Sequence, residues 1–561
     1  MSVTRTILQA LPVLLAASVS ASPSGNLAAA SFTLVEDGRS VAVIVTADRP
    51  AAVAREAASA LQAVVREMSG TEIPIRKEGE ISRQAPLILV GDSAMARKAG
   101  VEIRQDFEEG DHYVVQVREK MILLVGNDSG SLRGSAYAVY DLLQRLGCGW
   151  FGSEAMWQVI PERTTLRIEP MQADERPAFL DRQMSSLWGV DRSLLDAWRL
   201  GGWHVTHSHA LHGLVPRAKY EKEHPDWFGS KQPCLTHPEV INLVAAEFRK
   251  ELDRRTGRVP FSLSADDALG FCDCERCRGI GNAGAVNLCF ANAVARELAK
   301  THPNRYLLTF YAFWGTHDAP FPSREAEPGV CVMQVNEGNH TQPWDKPERP
   351  DISQIIDRNN TRELIAFDGW SRTGAIMAIY EWWIPSCNHE VWKEVPWYSG
   401  ATAMRNLRWW KGAGVRFVTY QTGDTDWTGL PLHWPLFYVG ARGMWNPELT
   451  AEQIMREACT KLYGPASEPM RKFYETIERA MADCQIPVKS WRLPSPEKVY
   501  LPEHEATAAR FLEQAAGMNV SHAIRERISH ETRMWARARA VIGGLRSNPQ
   551  EAKPSAQNPG M

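Results

Sequence analysis

The chain is 561 residues long, with 63 Lys plus Arg against 66 Asp plus Glu, a formal net charge of −3 and 44% apolar residues. That length exceeds one compact core and implies two to four domains, which the apolar content is sufficient to fill. The near balance of charge leaves no strong field for nucleic acid or an anionic membrane surface, so a neutral partner is expected.

In chain order the first element reads as a secretory signal over residues 1–21. Arg5 supplies positive charge, residues 7–19 a short apolar run, and Val19-Ser20-Ala21 a cleavage site. The mature chain would begin near Ser22 and be periplasmic or secreted, and no later run of about twenty apolar residues offers a membrane span. The ten cysteines permit full pairing in an exported chain without requiring it.

Residues 22–172 read as an α/β sandwich domain. The β-rich runs "SVAVIVTA", "APLILVGD" and "HYVVQVREKMILLVGND" alternate with the helical "AAVAREAASALQAVVREMSG" and "SGSLRGSAYAVYDLLQRLG". Such helices would cover one face of a sheet, which suits an accessory domain. Over residues 173–447 the pattern becomes strand, long loop, helix. Candidate strands at 179–187, 203–209, 259–266, 306–314, 330–337, 376–382 and 416–421 predict a (β/α)8-like (TIM) barrel, and without a clear eighth strand an irregular barrel fits as well as a complete one. Residues 448–544 turn helical, and the polar, Pro-rich residues 545–561 read as a disordered tail.

Barrel enzymes gather catalytic groups where strands run into the following loops. Acidic residues recur there: Asp266 and Asp267, Glu337, Glu381, then Asp424 and Asp426. Paired carboxylates suit glycosidic bond cleavage, one protonating the leaving oxygen while the other activates water or attacks the sugar. Any single one of these residues is as readily a helix cap or a solvated loop acid, and it is their recurrence that favours chemistry. Nine of the 20 tryptophans fall between Trp382 and Trp445. Indole packs on the flat C–H faces of sugar rings, so this cluster points to carbohydrate, with about half of it assigned to core packing. His207 and His209 share a face at strand period, and hydrogen bonds to sugar hydroxyls suit them better than metal ligation.

Cys272, Cys274 and Cys277 form a C-x-C-x-x-C loop, with Cys234 or a histidine as a fourth ligand. Structural zinc and disulfides both fit, and an all-thiolate site leaves no open position for catalysis. In either form the cluster would brace the loop carrying Asp266 and Asp267.

The segment "RGSAYAVYDLLQRLGCGWFGSEAMWQVIP" resembles the end of the accessory domain that precedes the barrel in glycoside hydrolase families 20 (β-hexosaminidases) and 67 (α-glucuronidases). "EHPDWFGSKQPCLTHPEV", "SADDALGFCDCERC" and "YGPASEPMRKFYETI" resemble the bacterial, glycosidase-like family called domain of unknown function 4838. "RPAFLDRQ" is similar to the first barrel strand of hexosaminidases, which implies Arg182 as a residue gripping the terminal sugar. Asp266-Asp267 stands in place of their Asp-Glu pair, so substrate-assisted cleavage does not carry over, and the likeness to family 67 implies roles for Glu337 and Glu381.

The expectation is an exported glycoside hydrolase acting on a polysaccharide or oligosaccharide and needing no cofactor for catalysis. Asp267 or Glu337 would be the general acid and Glu381 the base or nucleophile. Arg182, His207, His209, Asp266, Tyr311, Trp382 and Asp424 would line the sugar pocket. The alternatives are a non-catalytic carbohydrate-binding protein and a polysaccharide lyase.

Overall fold

The computed structural model describes residues 31–81, 85–187, 190–344, 360–382, 390–421, 430–489 and 493–548. The signal-like N-terminus, most of the polar tail, Asp424 and Asp426 lie outside the described residues.

Six strands form the first sheet, in the order Met171–Glu175, Tyr113–Arg118, Met121–Gly126, Leu87–Val90, Val43–Thr46, Ile75–Lys77, and only Tyr113–Arg118 runs against its neighbours. Helices Ala52–Ser69 and Gly134–Arg145 pack together on one face. The other face is also covered: Val45, Leu89, Val114, Leu123 and Val125 are buried with Ala96, Val101 and Ile103. Continuous apolar strands such as "LILV" demand cover on both faces, which the single-faced expectation did not allow for. Helix Gly134–Arg145 starts directly on the sheet, because a Cβ on Gly126 would lie 1.9 Å from the carbonyl carbon of Gly134.

The second sheet has the order Gly201–Gly202, Asp181–Met184, Phe417–Tyr420, Ile376–Glu381, Val330–Val335, Tyr306–Ala312, Val259–Ser262, the last six strands being mutually parallel. At one edge Gly202 pairs with Asp181, and at the other His209 bridges Ser264. In a flat sheet those two pairings would stand about 33 Å apart at the usual strand spacing. The seven residues from Gly202 to His209 span at most about 25 Å. The sheet is therefore curled. The strand expected at 203–209 is replaced by the Gly201–Gly202 pair and the single bridge at His209. Its amides are diverted: those of His204 and Val205 donate to the Asp181 carboxylate, not to a backbone ladder. The other six strands form where expected but stop short, so Asp266, Asp267 and Glu337 sit in loops and Glu381 is the last residue of its strand.

Helices Ala451–Tyr463, Ser467–Asp483, Pro502–Ala516 and His522–Ser547 pack on one another, and a continuous apolar core joins them to both sheets. Arg527, in the last helix, donates to the carbonyls of Met156, Gln158 and Leu462. Among the described residues no helix is long and apolar enough to cross a membrane.

Candidate active site

The six parallel strands end on one rim, and side-chain alternation decides what each end presents. Phe310 and Ile379 belong to the face covered by helices, where Phe310 packs on Trp370. Tyr311 and Tyr380, one residue further, belong to the opposite face with Met333, Ala378 and Phe417. The Tyr311 hydroxyl is 3.1 Å from His207 Nδ1, and the Tyr311 and Tyr380 rings meet edge to face at 5.8 Å. Trp382 extends this aromatic wall by packing on Tyr380 at 5.4 Å. Burial holds His207 down to about 4, so its imidazole is neutral near pH 7. Burial, with Tyr380 adding to it, pushes the Tyr311 phenol up and keeps it protonated.

His209, Asp266, Asp267, Tyr311, Phe313 and Trp314 line a pocket at this rim. The Ala265 carbonyl lies 2.6 Å from His209 Nδ1 and fixes the ring proton there. Trp314 adopts φ 49°, a left-handed conformation uncommon for a non-glycine residue, in the turn that forms one wall. Asp266 accepts from both the backbone N–H and the ring Nδ1 of His212, at 3.0 and 2.8 Å. Gln232 holds the same loop by donating to the carbonyls of Asp266 and Ala268. Asp266 is thus a brace, and Asp267 beside it is exposed at the pocket.

Glu337 follows strand Val330–Val335, and its buried Oε2 has no hydrogen-bond partner among the described residues. Burial raises the carboxyl above its ordinary value and the nearby Glu363 charge adds to this, while His317, Arg362 and the backbone N–H of Trp314 oppose it. His317 Nε2 is 3.0 Å from Glu363. Burial works against its protonation, but Asp318 and Glu363 outweigh burial and lift it to about 9.

Two expected site residues are placed elsewhere. Glu381 is turned to the side opposite Tyr380 and is 1% exposed. One carboxylate oxygen is 2.8 Å from His340 Nδ1 and accepts from the Trp382 N–H, and the other accepts from Asn336 at 2.7 Å. Arg182 and its partner Asp111 have fully buried side chains, paired at 2.6 Å. The remaining guanidinium nitrogens donate to the carbonyls of Arg199 and Phe179, and the group lies against Tyr137 and Trp445. With every nitrogen engaged by protein, Arg182 joins the first sheet to the second and does not reach a sugar. The described part of the tryptophan run is also mainly core: Trp392, Trp397, Trp410, Trp434 and Trp445 are buried, and among the described residues of the run only Trp382, packed on Tyr380, extends the aromatic wall beside the pocket. Phe313, Trp314, Tyr380 and the His317–Glu363 pair are the residues that sequence reasoning passed over. The inward parity of Tyr311 and Tyr380 is the signal that could have found Tyr380.

Cys234, Cys272, Cys274 and Cys277 converge, with all four sulfurs within 4.8 Å of one another, next to the loop that Gln232 holds.

The model of the family described as domain of unknown function (DUF4838) matches residues 152–476. No curated protein sequence matches the chain. Among solved structures the chain is similar to a family GH115 4-O-methyl-α-glucuronidase with specificity for decorated arabinogalactans, at TM-score 0.58 and 13% identity, over 91% of this chain and 73% of that one. It is also similar to a family 89 glycoside hydrolase from Clostridium perfringens, at TM-score 0.52 and 7% identity, over 87% of this chain and 60% of the other. A Streptomyces plicatus β-hexosaminidase aligns at TM-score 0.41 and 10% identity, over 78% and 93%. At these identities the likeness is one of fold.

Proposed function

The chain belongs to the family described as domain of unknown function 4838, and from that membership and the rim pocket we propose an exported glycoside hydrolase in which Glu337, held behind the pocket's lining by the backbone N–H of Trp314, is the general acid and Asp267, in the lining, the second carboxylate. The observation that carries this reading is the state of Glu337. A buried carboxyl whose Oε2 lacks a donor favours its neutral form, which is what a proton donor to a glycosidic oxygen requires. Its proton would pass to the leaving oxygen as the bond to the anomeric carbon breaks, the electron pair going to that oxygen. Asp267, exposed, would take a proton from the attacking water or bond to the anomeric carbon itself. Tyr311, Phe313, Trp314, Tyr380 and Trp382 would supply the aromatic surface for the ring, and His207 and His209 hydrogen bonds to its hydroxyls.

The pocket's lining includes two Asp and no Lys or Arg among the described residues, so a neutral sugar fits it better than a uronate. In this reading residues 22–172 are an accessory domain, residues 173–447 a catalytic barrel closed through the segment 203–209, and residues 448–544 a helical domain. Cleavage needs no cofactor.

Aryl glycosides and natural glycans of neutral sugars are the substrates to screen. Glu337→Gln is expected to lower kcat by about 10²–10⁴-fold, with folding and glycan binding intact. Because the acid must be protonated, wild-type activity should persist above the ordinary carboxylate range and fall as pH rises through the Glu337 titration. Full hydrolysis by Glu337→Gln would discard the assignment. The engagement of Glu381 leaves one carboxylate fewer at the pocket and favours a second reading, a carbohydrate-binding protein without catalysis. In that case the wild type binds glycans and releases no sugar.

A further inference from the structure

We propose that Cys234, Cys272, Cys274 and Cys277 hold one zinc ion in a closed structural site that fastens the pocket loop to the segment before helix Pro238–Arg254. Cys234 Sγ lies 3.8 Å from Cys274 Sγ and 3.8 Å from Cys277 Sγ. With Zn–S bonds of about 2.3 Å, the edge of a regular ZnS₄ tetrahedron is about 3.8 Å. The two equal distances single out no disulfide partner for Cys234, and with all four sulfurs within 4.8 Å of one another they fit four ligands around one centre. Cys274 and Cys277, three residues apart at the start of helix Glu275–Ile280, present their sulfurs on one side.

The surroundings suit thiolates. The Thr236 hydroxyl is 3.2 Å from Cys277 Sγ and 3.4 Å from Cys234 Sγ. Four thiolates on Zn²⁺ leave a net charge of −2, and the Arg276 guanidinium beside Cys234 offsets part of it. Because all four positions are sulfur, the ion has no place for water or substrate, so its role is separate from sugar chemistry. The same two segments are already zipped by hydrogen bonds: the amides of Lys231 and Gln232 donate to Gly270, and the Gln232 side chain reaches Asp266 and Ala268. The zinc would lock that zipper at its far end and so position Asp266 and Asp267.

Elemental analysis of the purified full-length chain is expected to give about one zinc per molecule. Four equivalents of an organomercurial thiol reagent should release it into a chromogenic zinc dye. Cys272→Ser and Cys277→Ser are expected to lose more than about nine-tenths of the metal, and Cys289→Ser, outside the cluster, to keep it. If the cluster variants fail to fold, release from the wild type still decides the matter. With the metal removed, cleavage by protease within 264–271 should become at least about tenfold faster. A zinc-free wild type with these cysteines joined as disulfides in peptide mass maps, or full zinc retention by Cys272→Ser, would overturn the site. These readouts do not involve glycoside cleavage, and the glycosidase reading stands or falls independently of them.

Discussion

Arg182→Met removes a guanidinium that neutralises Asp111 in a place where neither side chain meets water. Breaking a buried pair from one side leaves the other charge stranded, and the expected cost is about 3–5 kcal/mol of unfolding free energy, read as a lower urea midpoint. A sugar-gripping arginine would instead raise KM and leave the midpoint in place. The resemblance that suggested the gripping role rests on "RPAFLDRQ" alone, whereas the residue that satisfies Arg182 lies far upstream, in the loop that leads into strand Tyr113–Arg118 of the other sheet. Glu381 eluded the sequence for a related reason. Its strand, "IMAIYE", is apolar on both faces except at its end, and such a run carries no alternation to say which neighbour looks inward. One residue of parity separates Tyr380 at the aromatic wall from Glu381 between Asn336 and His340. The meeting of the four cysteines was legible because three of them lie on one loop and Cys234 was named as a fourth beside a histidine.

The close seat of helix Gly134–Arg145 on strand Met121–Gly126 depends on two hydrogen atoms standing where methyl groups would collide with backbone. Gly126→Ala is expected to cost about 3 kcal/mol or more, since backbone cannot yield as a flexible side chain does. Gly543→Ala should do the reverse. Gly543 lies inside helix His522–Ser547 with nothing within 4 Å of a built Cβ, so the change is expected to add about 0.5–1 kcal/mol. Calorimetry of both variants checks the contrast. At this scale six of the seven strands expected in the second sheet were legible from their β-rich apolar runs. Segment 203–209 imitates a strand in composition, but the Asp181 carboxylate captures its amides, a tertiary competition that no local pattern encodes.

Across the whole molecule, three carboxyls are held where elements pack, Glu531 buried and Glu478 and Asp128 half-buried. Burial pushes Glu478 and Glu531 up to about 7 and Asp128 up to about 6. Each binds its proton more tightly folded than unfolded, so the stability these groups contribute is greatest below the unfolded value near 4, falls as pH rises toward about 7, and levels off beyond. Glu531→Gln should therefore raise the melting temperature at pH 8 and leave it nearly unchanged at pH 4. Equal shifts at both pH values would remove Glu531 from this account. The density of tryptophan in the second half of the chain, divided from sequence between carbohydrate contact and packing, belongs chiefly to this scale too. Trp434 and Trp445 pack against Phe151, Tyr113 and Tyr137 from the first third of the chain.

The stretch 152–476 is accordingly smaller than what must fold together. Asp111 lies before it and Arg527 after it, each closing a contact whose other half is inside. A gene trimmed to that stretch would yield a polypeptide with a stranded guanidinium and bare carbonyls, prone to degradation. The smallest portable version of this enzyme candidate therefore needs the flanks on both sides.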